Sequence, residues 1–463
     1  MIAITLAEIA DVTGGRVHGD PATVVTAAAF VDSRAVEPGG LFVALVGERV
    51  DGQAFADAVH AAGAAAVLGT RPSGAPTVVV EDPVLALGLL AGHVRDRLTG
   101  LRVLALTGSQ GKTGTKDFLA AVLARVGPTV ATAGNFNNEI GVPLTVLRAS
   151  ADTAYLVVEM GARHLGNIGY LCRIARPEVA AVLNVGSAHV GEFGSREAIA
   201  RTKGEIVEAL PPDGTAVLAS DDEVVARMAA RTSARVVTFG VGGDVTAREQ
   251  ETDERARRSF DLGHAGSLVR VSLSVPGEHQ VHNALAAAAM ALAVGVPLPE
   301  VAAGLTAARP PSRWRMELRE RDDGVLVVND AYNANPDSMR AALETLRDLG
   351  GTGRRTVAVL GEMKELGDEH EAAHRGIGQF ATVARVDVLV VVGAEAAGIA
   401  DGALDQPGWV GQVVRAAGRD DALAWVRNNV APGDVVLVKA SRGVALEHVA
   451  DGLLAPRPEG GTA

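Results

Sequence analysis

The stretch from Arg102 to Lys116, RVLALTGSQGKTGTK, constrains this chain more than any other. An apolar, β-branched run from Val103 to Thr107 ends in Gly108-Ser109-Gln110-Gly111-Lys112-Thr113-Gly114, and a helical pattern begins at once. A strand that feeds a glycine-rich turn opening a helix gathers backbone N–H groups and the positive end of a helix dipole at one point, which suits a polyphosphate. Lys112 is then set for the terminal phosphates and the Thr113 hydroxyl for Mg²⁺. Glycine lets backbone approach phosphate with no Cβ in the way. The full phosphate-loop pattern asks for a glycine where Leu106 stands, so the match is to the shorter G-x-x-G-K-T form. The bland alternative is an ordinary strand–helix turn with an exposed lysine. The strand before it and the threonine after Lys112 favour the nucleotide.

A chain of 463 residues is too long for one ordinary core, so several domains are expected. Aromatic residues make up 3%, which leaves the cores to Ala, Val and Leu. The net charge of −12 argues against a nucleic-acid partner or an anionic membrane surface, though not against a polyphosphate held by a local loop. A single cysteine, Cys172, excludes an internal disulfide and fits a reducing cytoplasm. The opening MIAITLAEIADV lacks a basic region and carries Glu8 and Asp11, so it is not read as a signal peptide. The alanine-rich run Ala284 to Leu298 is too short to span a bilayer and reads as a buried helix. The expectation is a soluble, cytoplasmic protein with no membrane insertion.

Before the loop, Thr5-Leu6-Ala7-Glu8 has the form of a capping box, and Gly14-Gly15 ends the helix it would open. Strands are expected at 24–30, 41–45, 64–68 and 77–80, with helices near 54–62 and 83–98. From 101 to about 309 strands and helices alternate as in a doubly wound sheet, with strands at 102–107, 129–132, 154–158, 179–185, 214–219 and 235–239. Residues 243–275 alternate polar and apolar and suggest antiparallel strands at a sheet edge. After a linker at Arg309-Pro310-Pro311-Ser312, strands 325–328, 356–360, 386–392 and 435–438 alternate with helices near 337–348, 369–382, 420–429 and 444–453. That is a second, smaller open α/β sheet.

Several residues stand where chemistry could use them. Glu159 ends the strand before VVEMGARH, and a carboxylate at the end of a strand beside a phosphate loop is where Mg²⁺ is held; capping of the next helix is the alternative. His189, in LNVGSAHVGEF, is similarly placed after a strand, but a lone histidine carries weight only in company. Lys203 lies on a helix, where an exposed lysine is the default. Asn283 and His279 share a helix face, and Asn283 could pair with a base edge or cap the helix. Arg315, Glu317 and Asp330 flank the second linker and could close over ATP, or be solvated surface charges. Ser33 and Arg34 on a loop could hold a phosphate, although a solvated Asp32–Arg34 turn is the plainer reading. His370-Glu371-Ala372-Ala373-His374 matches the H-E-x-x-H zinc-peptidase pattern, with Glu395 the nearby carboxylate for a third ligand. A zinc peptidase would leave the phosphate loop unexplained. A switch GTPase would need an N-K-x-D, which is absent.

Taken together and in order, these motifs resemble the Mur ligase family, the ATP-dependent amide-forming enzymes of peptidoglycan synthesis. The segments that carry the resemblance are GNFNNEIGVPLTVLR (134–148), VVEMGARHLGNI (157–168), TKGEI (202–206), NDAYNANPDSMRAAL (329–343) and GEMKELG (361–367). The resemblance covers essentially the whole chain and implies three α/β domains. Residues 1–97 would be an N-terminal domain for the UDP substrate, 98–311 a central phosphate-loop ATPase domain, and 312–463 a C-terminal Rossmann-like domain. The D-N-P-R of the members that add the third peptide residue does not occur. The pattern is that of members that join D-alanyl-D-alanine to UDP-N-acetylmuramoyl-tripeptide, with other Mur or folylpolyglutamate-type ligases of different acceptor as the alternative.

By position, the resemblance implies that Gly108 to Gly114 bind the ATP phosphates, with Thr113 and Glu159 on one Mg²⁺ and His189 on a second. Lys203 would be carbamylated by CO₂ and become a bridging ligand. Asn283, Arg315 and Asp330 would hold ATP. Ser33, Arg34, Asn135, Asn137 and Asn138 would face the UDP-sugar end, and Asn333 and Asn335 the dipeptide. The enzyme is expected to act as a monomer. Gln53, Gly114, Gln280 and Ala440 depart from the family pattern and bear on fine substrate contacts.

Overall fold

The computed structural model describes residues 1–47, 50–186, 193, 195–309, 311–351 and 353–455. Its strands form three principal sheets, one for each third of the chain, and a two-stranded ribbon that pairs Ile4–Thr5 with Val24–Val25.

The first sheet runs in the order Arg16–His18, Thr77–Val79, Ala66–Gly69, Leu41–Val43, Ala29–Phe30, and only its first pair is antiparallel. The stretch expected as one strand at 24–30 divides into two short ones that join different sheets. Thr5 caps the first helix, Leu6–Thr13, by accepting the Glu8 N–H at 3.2 Å. The Glu8 carboxylate does not close the box; it accepts instead from His93 (2.8 Å) and Arg97 (2.5 Å). Those partners lie on the helix Pro83–Arg97, which Asp82 caps through the Val84 and Leu85 N–H groups.

That helix joins the first unit to the second. A Cβ on Gly88 would lie 2.4 Å from the Tyr170 hydroxyl, so only glycine permits this approach to the helix Asn167–Ala175. Arg95 donates to the Ala175 carbonyl at 3.2 Å, and Arg176 pairs with Asp96 at 2.8 Å. One buried apolar cluster runs from Ile4 to Ala308, across the boundary.

The central sheet has nine strands in the order Ser267–Pro276, Arg257–His264, Val245–Thr252, Arg235–Phe239, Thr215–Ala219, Val179–Val182, Arg102–Thr107, Tyr155–Glu159, Thr129–Ala131. The six strands from Arg102–Thr107 to Arg235–Phe239 are parallel, and the antiparallel pairs are the ones expected within 243–275. Apolar strands such as VAAV at Val179–Val182 are buried along their whole length, as a sheet covered on both faces requires. The alanine-rich helix is His279–Ala293, buried at eleven positions.

The third sheet is Glu317–Glu320, Leu326–Asn329, Val435–Lys439, Thr356–Leu360, Val388–Val392, Gln412–Ala416, antiparallel only at its first pair. Its two outer strands, of mixed polar composition, escaped the sequence patterning. Separate apolar clusters cover its two faces, so this unit has a core of its own. Arg258 ties it to the central unit through Asp348 at 3.0 Å. No helix among the described residues is long and apolar enough to cross a membrane.

Candidate active site

The strand Arg102–Thr107 lies between Tyr155–Glu159 and Val179–Val182. Chain connections depart to opposite sides there, which opens a crevice at the carboxyl ends of the strands. The glycine-rich turn fills it. Gly111 takes φ +79°, and a Cβ there would lie 2.3 Å from Asn283 Oδ1. The helix Lys112–Leu123 starts with no side-chain cap, so its first N–H groups and its dipole face the crevice unanswered.

Ser109 and Gln110 were expected to offer their N–H groups to phosphate. Both instead donate to Asn184 Oδ1, at 2.9 and 3.0 Å, and the Ser109 hydroxyl accepts the Gly186 N–H. These bonds pin the first half of the loop and leave the anion to the helix start. Asn184 had no motif to flag it, since its role depends on a neighbouring strand end. The Lys112 ammonium folds back on the Gly108 carbonyl at 2.7 Å, a neutral partner that phosphate oxygens can replace. Burial lowers the Lys112 pKa, the Glu159 carboxylate opposes that, and the Arg315 charge adds to it.

Glu159 is 1% exposed. Its Oε2 accepts the Thr113 hydroxyl at 3.0 Å and its Oε1 the Asn137 amide at 2.8 Å. Both donors are neutral, so a buried carboxylate sits beside a hydroxyl with no ion pair among the described residues. That donor set fits a hard divalent cation. Asn137 therefore gives one amide hydrogen to the carboxylate. The Asn138 side chain accepts the Ile140 and Gly141 N–H groups at 3.3 and 3.0 Å and shapes the local turn, while Asn135 is exposed.

Lys203, expected by default on a helix surface, is 7% exposed on the helix Arg196–Glu208. Its Nζ has no hydrogen-bond partner among the described residues. Burial, and then the Lys112 charge, push its pKa well below the usual lysine value. His189 lies outside the described residues.

The C-terminal unit closes the other side. Asp330 follows the strand Leu326–Asn329 and accepts Lys439 Nζ at 2.6 Å and the Met316 N–H at 3.0 Å. Lys439 also donates to the Asn333 carbonyl at 2.8 Å. Arg315 sits 4.1 Å over the Tyr332 ring, and Trp314 and Met316 on either side of it take φ of 59° and 50°. Left-handed backbone at two bulky residues is strain of the kind that sites hold. Tyr332 lies inside a diagnostic segment and Lys439 outside all of them, and nothing in the sequence showed that they would attend Arg315 and Asp330.

Asn283 does not offer a free edge for a base. Its Oδ1 accepts the Thr115 hydroxyl at 3.5 Å and its amide donates to Gln280 at 3.0 Å; Gln280 in turn reaches His279 at 3.1 Å. This chain of bonds runs from the loop toward Asp330 and Lys439, whose charges act on His279. Asn335 is likewise occupied: it caps the helix Pro336–Gly350 in a reciprocal box with Ser338. Arg34 is held by Asp32 through two bonds of 2.9 and 2.8 Å on an exposed turn, the plainer of the two readings.

The zinc alternative fails at His374. Its Nε2 accepts the Met363 N–H at 2.9 Å and its Nδ1 faces the His370 carbonyl at 2.7 Å. Both ring nitrogens are spent inside the fold, and no lone pair is left for a metal.

Family models match in three segments: "Mur ligase family, catalytic domain" at residues 29–92, "Mur ligase middle domain" at 106–291, and "Mur ligase, glutamate ligase domain" at 314–442. The chain is 47% identical to the UDP-N-acetylmuramoyl-tripeptide–D-alanyl-D-alanine ligase of Mycobacterium tuberculosis, over 98% of each chain. Among solved structures it is similar to MurF of Acinetobacter baumannii, with TM-score 0.87, 35% identity, and 98% of this chain and 99% of that one covered. It is also similar to the MurF ligase of Thermotoga maritima in complex with ADP, with TM-score 0.79, 32% identity, and 93% and 97% covered. With the phosphate loop, the buried Glu159 and the Asp330–Lys439 pair brought together in one crevice, the chain belongs to the Mur ligase family.

Proposed function

We infer that this protein is an ATP-dependent carbon–nitrogen ligase that joins D-alanyl-D-alanine to the tripeptide of UDP-N-acetylmuramoyl-tripeptide, a step of peptidoglycan precursor synthesis. The observation that carries it is the contact of Thr113 with Glu159 beside an uncapped helix start and Lys112, in a chain so similar to that ligase from end to end. ATP is the phosphoryl donor, in keeping with the ADP named for the Thermotoga relative.

The carboxylate that ends the tripeptide attacks the γ-phosphorus of ATP, ADP leaves, and an acyl phosphate forms. The dipeptide's free amine then attacks the acyl carbon; the tetrahedral adduct expels phosphate and leaves the amide. No side-chain nucleophile is required. The chain's part is electrostatic: Lys112, the helix start and Arg315 spread positive charge where the transferring group gains negative charge. Thr113 and Glu159 would hold Mg²⁺, which when bound neutralises charge on the phosphoryl oxygens. Lys203, whose burial favours the uncharged amine, is suited to take up CO₂ as a carbamate and, with His189, to hold a second Mg²⁺. In this reading residues 1–97 receive the UDP-sugar, 98–311 the ATP, and 312–463 the dipeptide near Asn333. The test is phosphate release with an acceptor panel. Release should need both the UDP-tripeptide and D-alanyl-D-alanine. Release with a single amino acid instead would favour a ligase of different acceptor.

A further inference from the structure

Arg315 differs from the arginines around it in what holds it. Arg319 pairs with Glu317 and Arg442 with Glu447, whereas Arg315 has no carboxylate partner among the described residues. The carboxylates bonded to its two flanking residues are both engaged elsewhere. Glu317 accepts the Trp314 N–H at 3.3 Å and holds Arg319; Asp330 accepts the Met316 N–H at 3.0 Å and holds Lys439. What faces the Arg315 guanidinium is the Tyr332 ring, with 4.1 Å to its centroid, the shortest such distance among the described residues.

Tyr332 is fixed where it stands. It lies in the turn between the strand Leu326–Asn329 and the helix Pro336–Gly350, and its N–H donates to the Trp314 carbonyl at 3.2 Å. That bond ties the ring to the backbone just before Arg315, within the segment that turns left-handed at Trp314 and Met316. The Tyr332 hydroxyl makes no hydrogen bond among the described residues. Burial raises its pKa; Arg315 opposes the shift, Glu159 adds to it and Arg442 opposes it. The ring therefore stands in the field of the loop carboxylate as well as of the arginine, and a phenol so held stays protonated at neutral pH and is no base.

A carboxylate beside a guanidinium cancels its charge and occupies its donors. An aromatic face does neither: it attracts the cation through the ring quadrupole and leaves the in-plane N–H donors open. It also removes rotamer freedom from a long side chain before phosphate arrives. We propose that Tyr332 is a positioning residue for phosphoryl transfer, carrying Arg315 as an uncancelled cation whose donors are open to phosphate oxygens. The inference rests on the ligase reading above, which puts Arg315 at ATP.

The experiment reads phosphate release from ATP with UDP-N-acetylmuramoyl-tripeptide and D-alanyl-D-alanine. Tyr332→Phe and Tyr332→Leu are compared in the parent enzyme and in an Arg315→Ala background. Tyr332→Leu, which removes the aromatic face, should lower kcat about 10-fold with the KM for D-alanyl-D-alanine held. Tyr332→Phe, which keeps that face, should retain most of the rate. In the Arg315→Ala background Tyr332→Leu should cost less than about 2-fold, a silence that general damage to the fold cannot produce. Equal losses for the Phe and Leu variants would make the hydroxyl the active group and overturn the proposal. So would the same loss for Tyr332→Leu with and without Arg315, or a rise in the dipeptide KM with kcat unchanged. Each of those outcomes leaves the ligase reading intact; that reading fails if the parent enzyme releases no phosphate with this substrate pair.

Discussion

Lys439 Nζ donates to Asp330 Oδ2 at 2.6 Å, with the two side chains only 3% and 12% exposed. The pair is completed by the Asn333 carbonyl and the Met316 N–H, so both charges are satisfied inside the C-terminal unit at its face toward the phosphate loop. Removing one partner of such a pair strands the other charge, which costs about 3–5 kcal/mol, whereas removing both costs much less. Lys439→Met should lower stability by that amount in urea unfolding, and Asp330→Asn with Lys439→Met should recover much of it. Strictly additive losses would show that the two do not act as a pair.

His279 should make stability fall on mild acidification. Burial holds its pKa down to about 4, against an ordinary 6.5, with Asp330 opposing the shift and Lys439 adding to it. Between those values the unfolded chain binds the proton and the folded chain does not, so stability rises with pH across that window and is lost as pH drops through it. Urea midpoints at pH 7 and pH 5 should differ less for His279→Gln than for the parent. An identical pH dependence in the variant would remove His279 from the account.

Lys203 should be essential as an anion and not as a cation. Its amine has no partner among the described residues, and burial favours the neutral form that reacts with CO₂. Lys203→Ala should cost about 10²-fold or more in kcat, as loss of a positioned charge at phosphoryl transfer does, and short carboxylic acids should restore part of it. Full activity in the alanine variant would sink the carbamate role.

His374 should matter for stability and not for metal. Its replacement by Ala leaves the Met363 N–H without an acceptor inside the fold, a loss of about 1–3 kcal/mol. Metal analysis of the purified enzyme should find no stoichiometric zinc, and a zinc-selective chelator should leave activity intact. Stoichiometric zinc lost on His370→Gln would revive the peptidase alternative.

Much of the architecture was legible because it is written in short-range patterns. Buried parallel strands such as VLVVV at Val388–Val392 and the turn Gly108 to Thr113 announce themselves by composition alone. The edge strands Arg16–His18, Glu317–Glu320 and Gln412–Ala416 did not, because half-exposed strands of mixed polarity look like loops. The asparagines were the hardest to read. Asn137, Asn138, Asn283 and Asn335 all looked available for substrate, and each also bonds within the protein. A side chain with two donors and an acceptor bonds whatever the fold brings near, and local sequence does not carry that information.

By itself, then, the amino-acid sequence determined the class of fold, the phosphate loop and the family, because strand periodicity and glycine-rich turns are local and the diagnostic segments are contiguous. The tertiary structure decided what no window of sequence could. It buried Lys203, turned Asn184 onto the loop, spent both nitrogens of His374 and paired Lys439 with Asp330, 109 positions apart. Burial and long-range pairing are properties of packed surfaces, and they set which of the chain's many polar groups remain free to act.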